Sequence, residues 1–213
     1  IQGHMTVKLL DSNTKMPFVE SKLPDMDFIA QLLEQCIKTN MWANRGPLYH
    51  MLAEKYEKHF NLSADRAVTP CANGGIGLEA LARYLEIKFD KPIRWVASSF
   101  SFNNLGRGYF NEMHFVDSTK EGILSLTALE EFGLDKFDGF IVTNPFGAWH
   151  NFNPFIEFAR KHRKFMVIDN AAGLNETLPD WPYQSFSLHH TKPYGAGEGG
   201  LILSPRHEME DIY

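Results

Sequence analysis

Lys192 is the residue whose type and surroundings most strongly indicate chemistry, and it lies in the glycine-rich stretch HHTKPYGAGEGG at 189–200. The same stretch contains a G-x-G-x-x-G pattern at 195–200, which binds dinucleotides when a strand precedes it and a helix follows. Here the apolar residues 201–203 and then a proline follow, and this pattern indicates a strand. The lysine is therefore the better candidate, since its neutral amine can condense with an aldehyde.

Three other features could act together with this lysine. Asp169 ends the apolar run FMVID, so its carboxylate is expected at the carboxyl edge of a strand. Ser187 places a hydroxyl five residues before the lysine. Gly74 and Gly75 open a helical pattern, and the free N–H groups at a helix start can bind an anion such as phosphate. A glycine turn that merely begins a helix is, locally, an equally good interpretation of these two residues.

Together these parts match what is needed to hold pyridoxal phosphate (PLP). Lys192 would condense with the cofactor aldehyde, and Asp169 would pair with the pyridine N–H and keep that nitrogen protonated. An aromatic side chain would stack on the ring, and Phe100 and Phe102 in SSFSFNN follow a predicted strand where such a platform belongs. The sequence leaves open which of the two does so, since either could be a core residue.

Each of these residues, taken singly, has a plainer interpretation. Lys192 alone is most simply a solvated loop lysine, and Asp169 alone a turn or capping residue. His189 and His190 are adjacent, but no Cys, Asp or Glu stands at a spacing that would complete a metal site. We predict no metal site and interpret His189 as a packing residue or a support for the site.

The elements that must position these residues alternate along the chain. Helical spacing predicts a helix over 25–38, a second after Gly46 and Pro47, and a third that begins at the two glycines. The alternation that follows predicts an α/β fold with a mostly parallel sheet flanked by helices. The predicted strands are 94–98, 113–116, 138–143 and 165–168, and the predicted helices are 125–133 and 154–163, the latter with Asn153 as its cap.

The composition is that of one globular domain. The chain has 213 residues, of which 44% are hydrophobic and 22% charged, enough to bury one substantial core. The net charge of −5 and the scattered basic residues argue against a nucleic-acid or membrane partner, so we expect small molecules or protein subunits. Cys36 and Cys71 are far apart, and no secretory or transmembrane pattern is present, which favours a cytoplasmic location. Residues 1–4 are interpreted as an expression-tag remnant.

Seven short motifs, in order along the chain, make it resemble the DegT/StrS-type sugar aminotransferases. These are PLP-dependent enzymes with the aspartate-aminotransferase fold, fold type I. The similarity covers almost everything after the tag, and the last motif is highly specific. The motifs are NRGP (44–47), NGG (73–75), SFSF (99–102), HFVD (114–117), NPFG (144–147), VIDNAAG (167–173) and FSLHHTK…GEGG (186–200).

The resemblance implies a role for each matched residue. Lys192 would bind the cofactor covalently and later move the proton between the two carbons of the transamination. Asp169 would be the partner of the pyridinium nitrogen, and Phe102 would stack on the ring. The implied phosphate ligands are Gly74, Gly75 and Ser187. Departures from the family pattern put some contacts in doubt: Ala172 stands where the family usually has Gln or His, Leu105 where it often has threonine, and Gly75 where it has the threonine of N-G-T.

The implied activity is transfer of an amino group, typically from glutamate, to a nucleotide-linked keto-sugar. Such enzymes serve the synthesis of amino sugars for surface polysaccharides such as lipopolysaccharide, or of natural products. One branch of the family has histidine at the lysine position and dehydrates sugars, and Lys192 argues against that branch. Family active sites are completed by a second subunit, so the resemblance also implies a homodimer.

The resemblance further implies a truncated chain. Residues 5–213 would form the N-terminal segment and the PLP-binding large domain, and the sequence would stop before the smaller C-terminal domain that closes over the substrate. The alternative function is therefore a catalytically inactive or regulatory family member, or a fragment, that binds PLP or a partner without turnover.

Overall fold

A computed structural model describes residues 19, 21–148, 150–175, 177–195 and 197–213. The predicted tag remnant at 1–4 lies outside the described residues. The helices are α1 (Met26–Thr39), α2 (Pro47–His59), α3 (Gly74–Phe89), α4 (Leu126–Phe132), α5 (Asn153–His162) and α6 (Met209–Ile212). The strands are β1 (Arg66–Cys71), β2 (Trp95–Ser98), β3 (His114–Val116), β4 (Gly139–Thr143), β5 (Phe165–Asp169), β6 (Gln184–Ser187) and β7 (Gly200–Pro205).

The seven described strands form one sheet in the order β1-β7-β6-β5-β4-β2-β3. The strand pairs β2–β3, β2–β4, β4–β5 and β5–β6 are parallel, whereas β7 is antiparallel to both β1 and β6. The predicted α/β fold with a mostly parallel sheet flanked by helices is confirmed. Two strands were not predicted: β1 contains Pro70, and β6 is short and has polar residues at three of its four positions.

Both faces of the sheet are covered, as the buried strands require. Ile141 of β4 lies in the core beneath α3, together with Leu81. Its neighbours Phe140 and Val142 lie in the core on the opposite face, where Phe158 of α5 meets the Phe140 ring edge-on at 5.7 Å between centroids. Successive side chains of a strand point to opposite faces, so a strand covered by helices on both sides must be apolar throughout. This explains why FIVT was recognisable from the sequence.

The helix predictions were correct in place but not in every detail. Asn153 is the first residue of α5 and not its cap: Phe152 occupies the cap position, and the side chain of Asn151 accepts a hydrogen bond from the Asn153 N–H at 3.0 Å. The apolar positions of α1 are only partly covered, because Cys36 is buried while Ile37 is 65% exposed. Within the described part of the chain, no helix is both long enough and apolar enough to cross a membrane.

Gly200, the last glycine of the G-x-G-x-x-G pattern, has a packing role. A Cβ at this position would lie 2.4 Å from the carbonyl carbon of Asn73 and 2.7 Å from the nitrogen of Gly74. The start of β7 therefore passes against the backbone that begins α3, at a distance that only glycine permits. The glycine pattern reflects this close approach and not a dinucleotide cradle.

Gly200→Ala is accordingly expected to destabilise the protein by about 1–3 kcal/mol, because an added methyl group would push β7 away from the start of α3. The matched control is Gly197→Ala, since a Cβ at Gly197 would meet no atom within 4 Å. The control should change the free energy of unfolding by no more than about 0.5 kcal/mol. Urea titrations followed by circular dichroism measure both values, and equal effects would contradict the packing role of Gly200.

Candidate active site

The candidate site lies at the carboxyl ends of three neighbouring parallel strands. Thr143, Asp169 and Ser187 are the last residues of β4, β5 and β6. Thr143 is the register partner of Asp169, and Asp169 is in turn the partner of Ser185 on β6. This edge of a parallel sheet is where ligands bind in α/β proteins.

Asp169 is almost fully buried, with 3% of its surface exposed. Its carboxylate accepts a hydrogen bond from the Ala171 N–H at 3.1 Å and one from the Thr143 hydroxyl at 3.4 Å. Burial raises the pKa of Asp169, while the Ala171 N–H, the charge of Lys192 and the Thr143 hydroxyl act in the opposite direction without cancelling it. The ionised carboxylate thus needs a further donor or cation to be fully stabilised.

Lys192 lies in the loop that joins β6 to β7, and its side chain is half-buried. The ammonium lies 5.9 Å from the centroid of the Phe102 ring. It is also near enough to Asp169 for its charge to favour the ionised carboxylate. The structure therefore brings together the lysine, the acid and one aromatic ring that the sequence had singled out.

The two candidate phenylalanines have different surroundings. Phe102 is 65% exposed and is the ring that approaches Lys192. Phe100 instead meets the Phe146 ring edge-on at 6.0 Å between centroids, and a Cβ at Gly122 would lie 2.9 Å from it. This geometry supports Phe102 as the residue that would cover a ligand, and the stacking role itself stays a prediction.

The two glycines at the start of α3 lie beside the end of β6. A Cβ at Gly74 would lie 3.2 Å from the Cβ of Ser187, so these two residues are direct neighbours. Asn73 caps the helix, and its side-chain oxygen accepts from the Ile76 N–H at 3.0 Å. The N–H groups of Gly74 and Gly75 precede that bond in the first turn, where backbone donors have no partner within the helix. Together these groups form a seat that could hold an anion.

Ser187 can contribute a proton to that seat. It is buried, and its hydroxyl oxygen accepts a hydrogen bond from the His189 N–H at 3.2 Å. A hydroxyl that accepts in this way keeps its own proton free to donate to an anion. His189 itself is held within its loop, with Nδ1 at 2.7 Å from the Thr191 hydroxyl and Nε2 at 3.3 Å from Glu198. These contacts agree with a supporting role for His189.

Two polar residues of the site were not singled out from the sequence. The Thr143 hydroxyl donates a hydrogen bond to Asp169. The sequence indicated Thr143 only as a polar residue at the end of an apolar run. Asn104 carries its side-chain nitrogen 3.3 Å from the position of a Cβ at Gly75, and its Oδ1 is buried without a partner among the described residues. Asn104 therefore lies beside Gly75, the position at which the DegT/StrS-type pattern has a threonine hydroxyl and this chain has none. No local sequence pattern pointed to Asn104.

No family model matches the chain. Two curated mycobacterial proteins are 28% identical to it over 211 residues: Protein Rv3402c of Mycobacterium tuberculosis (strain ATCC 25618 / H37Rv) and Protein Mb3436c of Mycobacterium bovis (strain ATCC BAA-935 / AF2122/97). Each alignment covers 89% of this chain and 49% of the relative. The chain therefore spans about half the length of the curated relatives that it matches.

Solved structures define the class of fold. Helicobacter pylori PseC, an aminotransferase involved in the biosynthesis of pseudoaminic acid, matches with a TM-score of 0.77 at 16% identity, over 93% of this chain and 55% of PseC. A DegT DnrJ EryC1 StrS aminotransferase from Brucella abortus matches with a TM-score of 0.70 at 19% identity, over 87% of this chain and 53% of its own.

A third structure comes from a Bacillus cereus ATCC 10987 protein proposed to be a PLP-dependent aminotransferase. It matches with a TM-score of 0.76 at 24% identity, over 93% of this chain and 57% of its own. The chain thus has the fold of the PLP-dependent aminotransferases of the DegT/StrS type. At these identities the similarity establishes the fold, and it confirms the fold class that the sequence motifs implied.

Proposed function

We propose that the chain is the PLP-binding large domain of an aminotransferase. The observation that carries the proposal is the buried carboxylate of Asp169 with Lys192 close to it, at the sheet edge where this fold places ligands. The contacts of Asp169 with Ala171 and Thr143 do not offset its burial, which still opposes the charge of the acid. A ligand that pairs with the acid and reacts with the amine would account for both.

The residues present fit PLP. A protonated ring nitrogen would supply a charged donor to the Asp169 carboxylate, whose ionised form burial disfavours. The seat formed by Gly74, Gly75 and Ser187 offers backbone N–H groups and a hydroxyl to a phosphate, and the side-chain nitrogen of Asn104, a donor, lies beside Gly75. When bound, PLP would supply an aldehyde that reacts with amines and a ring that accepts the electron pair left when a proton leaves the substrate carbon.

The residues of the chain then have separate tasks. Asp169 holds the proton on the ring nitrogen, because a buried carboxylate is stabilised most by a charged donor. Lys192 would hold the cofactor through its amine, and the free amine would move a proton between the two reacting carbons. Phe102 would cover one face of the ring. The phosphate seat fixes the position of the ring relative to the amine.

The proposed substrates are glutamate as amino donor and a nucleotide-linked keto-sugar as acceptor. A structural neighbour, DesI, was determined in the presence of its TDP-sugar product, which supports a nucleotide sugar. The glutamate donor, the homodimer, the cytoplasmic location and a role in polysaccharide or natural-product synthesis are proposals that rest on the motif resemblance. The domain assignment of 5–213 is a proposal of the same kind.

Titration of the protein with PLP and with pyridoxal, which lacks the phosphate, tests the cofactor proposal. We expect a visible absorption band with both, and a Kd for PLP at least about 100-fold lower, because charge-assisted hydrogen bonds to phosphate are among the strongest in proteins. Ser187→Ala should narrow that ratio and leave the pyridoxal Kd unchanged. Equal affinity for the two compounds, or no band at all, would contradict the proposal.

Addition of glutamate to the PLP-bound, full-length protein separates catalysis from binding alone. An aminotransferase should lose the visible band and gain the ultraviolet band of the pyridoxamine form. A protein that binds PLP without turnover should keep the visible band unchanged with glutamate and with other amino acids. The second outcome would favour the inactive or regulatory alternative.

A further inference from the structure

Lys22 holds the loop that carries Lys192. It lies in the segment before α1, 170 residues away from Lys192 along the chain. Its ammonium donates to the carbonyl oxygen of His190 at 2.7 Å and to that of Lys192 at 2.5 Å, and it also donates to the carbonyl of Gly195. Three carbonyls of one loop therefore meet the three protons of one ammonium.

The loop is tightly wound, which explains why it needs such a partner. The Lys192 N–H donates to the carbonyl of His189 at 2.8 Å, and the Gly195 N–H donates to the carbonyl of Lys192 at 3.0 Å. A Cβ at Gly195 would lie 1.7 Å from the His189 oxygen, so the two turns press directly on each other. Carbonyl dipoles that converge in this way repel one another unless a donor or a cation lies among them.

The position of this loop sets the position of the reactive amine. Lys192 has a long, flexible side chain, and in the backbone position that the loop provides its ammonium lies near both Asp169 and Phe102. A misplacement of about 1 Å in a reacting group can lower a rate by about 100-fold. We infer that Lys22 is a positioning residue, which fixes the loop so that Lys192 meets the cofactor aldehyde. The inference rests on the proposed PLP function.

The test compares Lys22→Met with the wild type. Methionine keeps the length and apolar stem of the side chain and removes the charged donor. In the cofactor-free protein, amide hydrogen exchange at Lys192 and Gly195 should become at least about tenfold faster, which corresponds to about 1.4 kcal/mol of local opening free energy. Exchange at the amides of β5 should stay unchanged. The matched control is Lys55→Met, at an exposed lysine of α2. It should change the exchange rates neither of the loop amides nor of the β5 amides.

A second measurement separates positioning from a general structural role. 4-Deoxypyridoxine phosphate has a methyl group in place of the PLP aldehyde, so it can occupy the site without reacting with Lys192. Lys22→Met should slow the growth of the visible band with PLP by at least about tenfold and leave the Kd for the deoxy compound within about twofold of wild type. Equal loss for both ligands, or no change in exchange and band growth, would overturn the inference.

Failure of the proposed function is distinguishable from failure of this inference. If wild-type protein gives no band with PLP, the function fails, whereas the exchange experiment still reports whether Lys22 orders the loop. If circular dichroism shows that Lys22→Met does not fold, Lys22→Arg takes its place. Its planar guanidinium keeps the charge but fits three converging carbonyls less well, so at least about threefold effects are expected in the same two measurements.

Discussion

Lys192→Ala is expected to abolish the visible band that forms with PLP and to lower amino-group transfer in the full-length protein by at least about 1000-fold. The reason is that the variant removes both the amine that binds the aldehyde and the group that moves the proton between two carbons, and proton transfer alone contributes about 100- to 10,000-fold. Noncovalent binding should survive, since the phosphate seat at Gly74 and the acid at Asp169 are intact.

Borohydride reduction followed by peptide mass spectrometry measures this directly. In the wild type, the peptide that contains Lys192 should carry the mass of the reduced cofactor, and Lys192→Ala should carry none on any peptide. Lys55→Ala, at an exposed lysine of α2, is the control and should behave as wild type. A full visible band, or cofactor fixed to another lysine in equal amount, would remove Lys192 from its proposed role.

Asp169→Asn is expected to have opposite effects on function and on stability. Without the carboxylate, the ring nitrogen of PLP loses its charged partner, so PLP should be retained less well and the reaction with glutamate should slow by at least about 100-fold. The cofactor-free protein, however, should become more stable at pH 7, because burial raises the pKa of Asp169 and the neutral amide avoids the cost of a buried charge. The amide oxygen can still accept from the Ala171 N–H.

The pH dependence of this effect has a definite sign. When folding raises the pKa of an acid, the folded state binds more protons than the unfolded state between the two pKa values, so stability falls as the pH rises through that window. The stability gain of Asp169→Asn should therefore be largest at neutral pH and shrink as the pH falls towards the ordinary aspartate value of 3.8. Thermal unfolding of the cofactor-free protein at several pH values measures it.

Asp138→Asn provides a control of opposite sign. Burial would raise the pKa of Asp138, but hydrogen bonds from Arg94 and Lys91 overcome this and hold it at about 2. Its carboxylate therefore stabilises the fold above the ordinary aspartate pKa, and Asp138→Asn should lower the melting temperature at pH 7, with the loss shrinking in acid. If the two variants shift the melting temperature in the same direction, folding does not raise the pKa of Asp169.

Much of the fold was predictable because the signals were local. The predicted strand at 138–143 was observed at Gly139–Thr143, since a strand covered on both faces is apolar throughout. β6 was missed because its polar side chains are buried with hydrogen-bond partners that no periodic pattern reveals: the Ser185 hydroxyl, for example, donates to the Gly74 carbonyl at 2.8 Å, across 111 residues. Buried polar residues with distant partners look like loop residues in the sequence.

The same limit applies to the site. The lysine, the acid and the glycines stood in recognisable motifs, so the sequence could name them. The residue pattern by itself did not decide between Phe100 and Phe102, although the motif resemblance favoured Phe102, because only three-dimensional packing shows which ring approaches Lys192. Lys22 had no signal at all, since its three partners are carbonyl oxygens that every residue possesses.

The pairing of β1 with β7 has a consequence for how the chain folds as it leaves the ribosome. Arg66 pairs with Pro205, so β1, the first of the described strands to be synthesised, waits about 140 residues for its neighbour, on the order of ten seconds of translation. Until then the β6 edge of the nascent sheet is also open, because β7 lies between the two. Such a late, non-local closure makes folding slow and exposes two strand edges to other nascent chains, which makes a chaperone useful during synthesis.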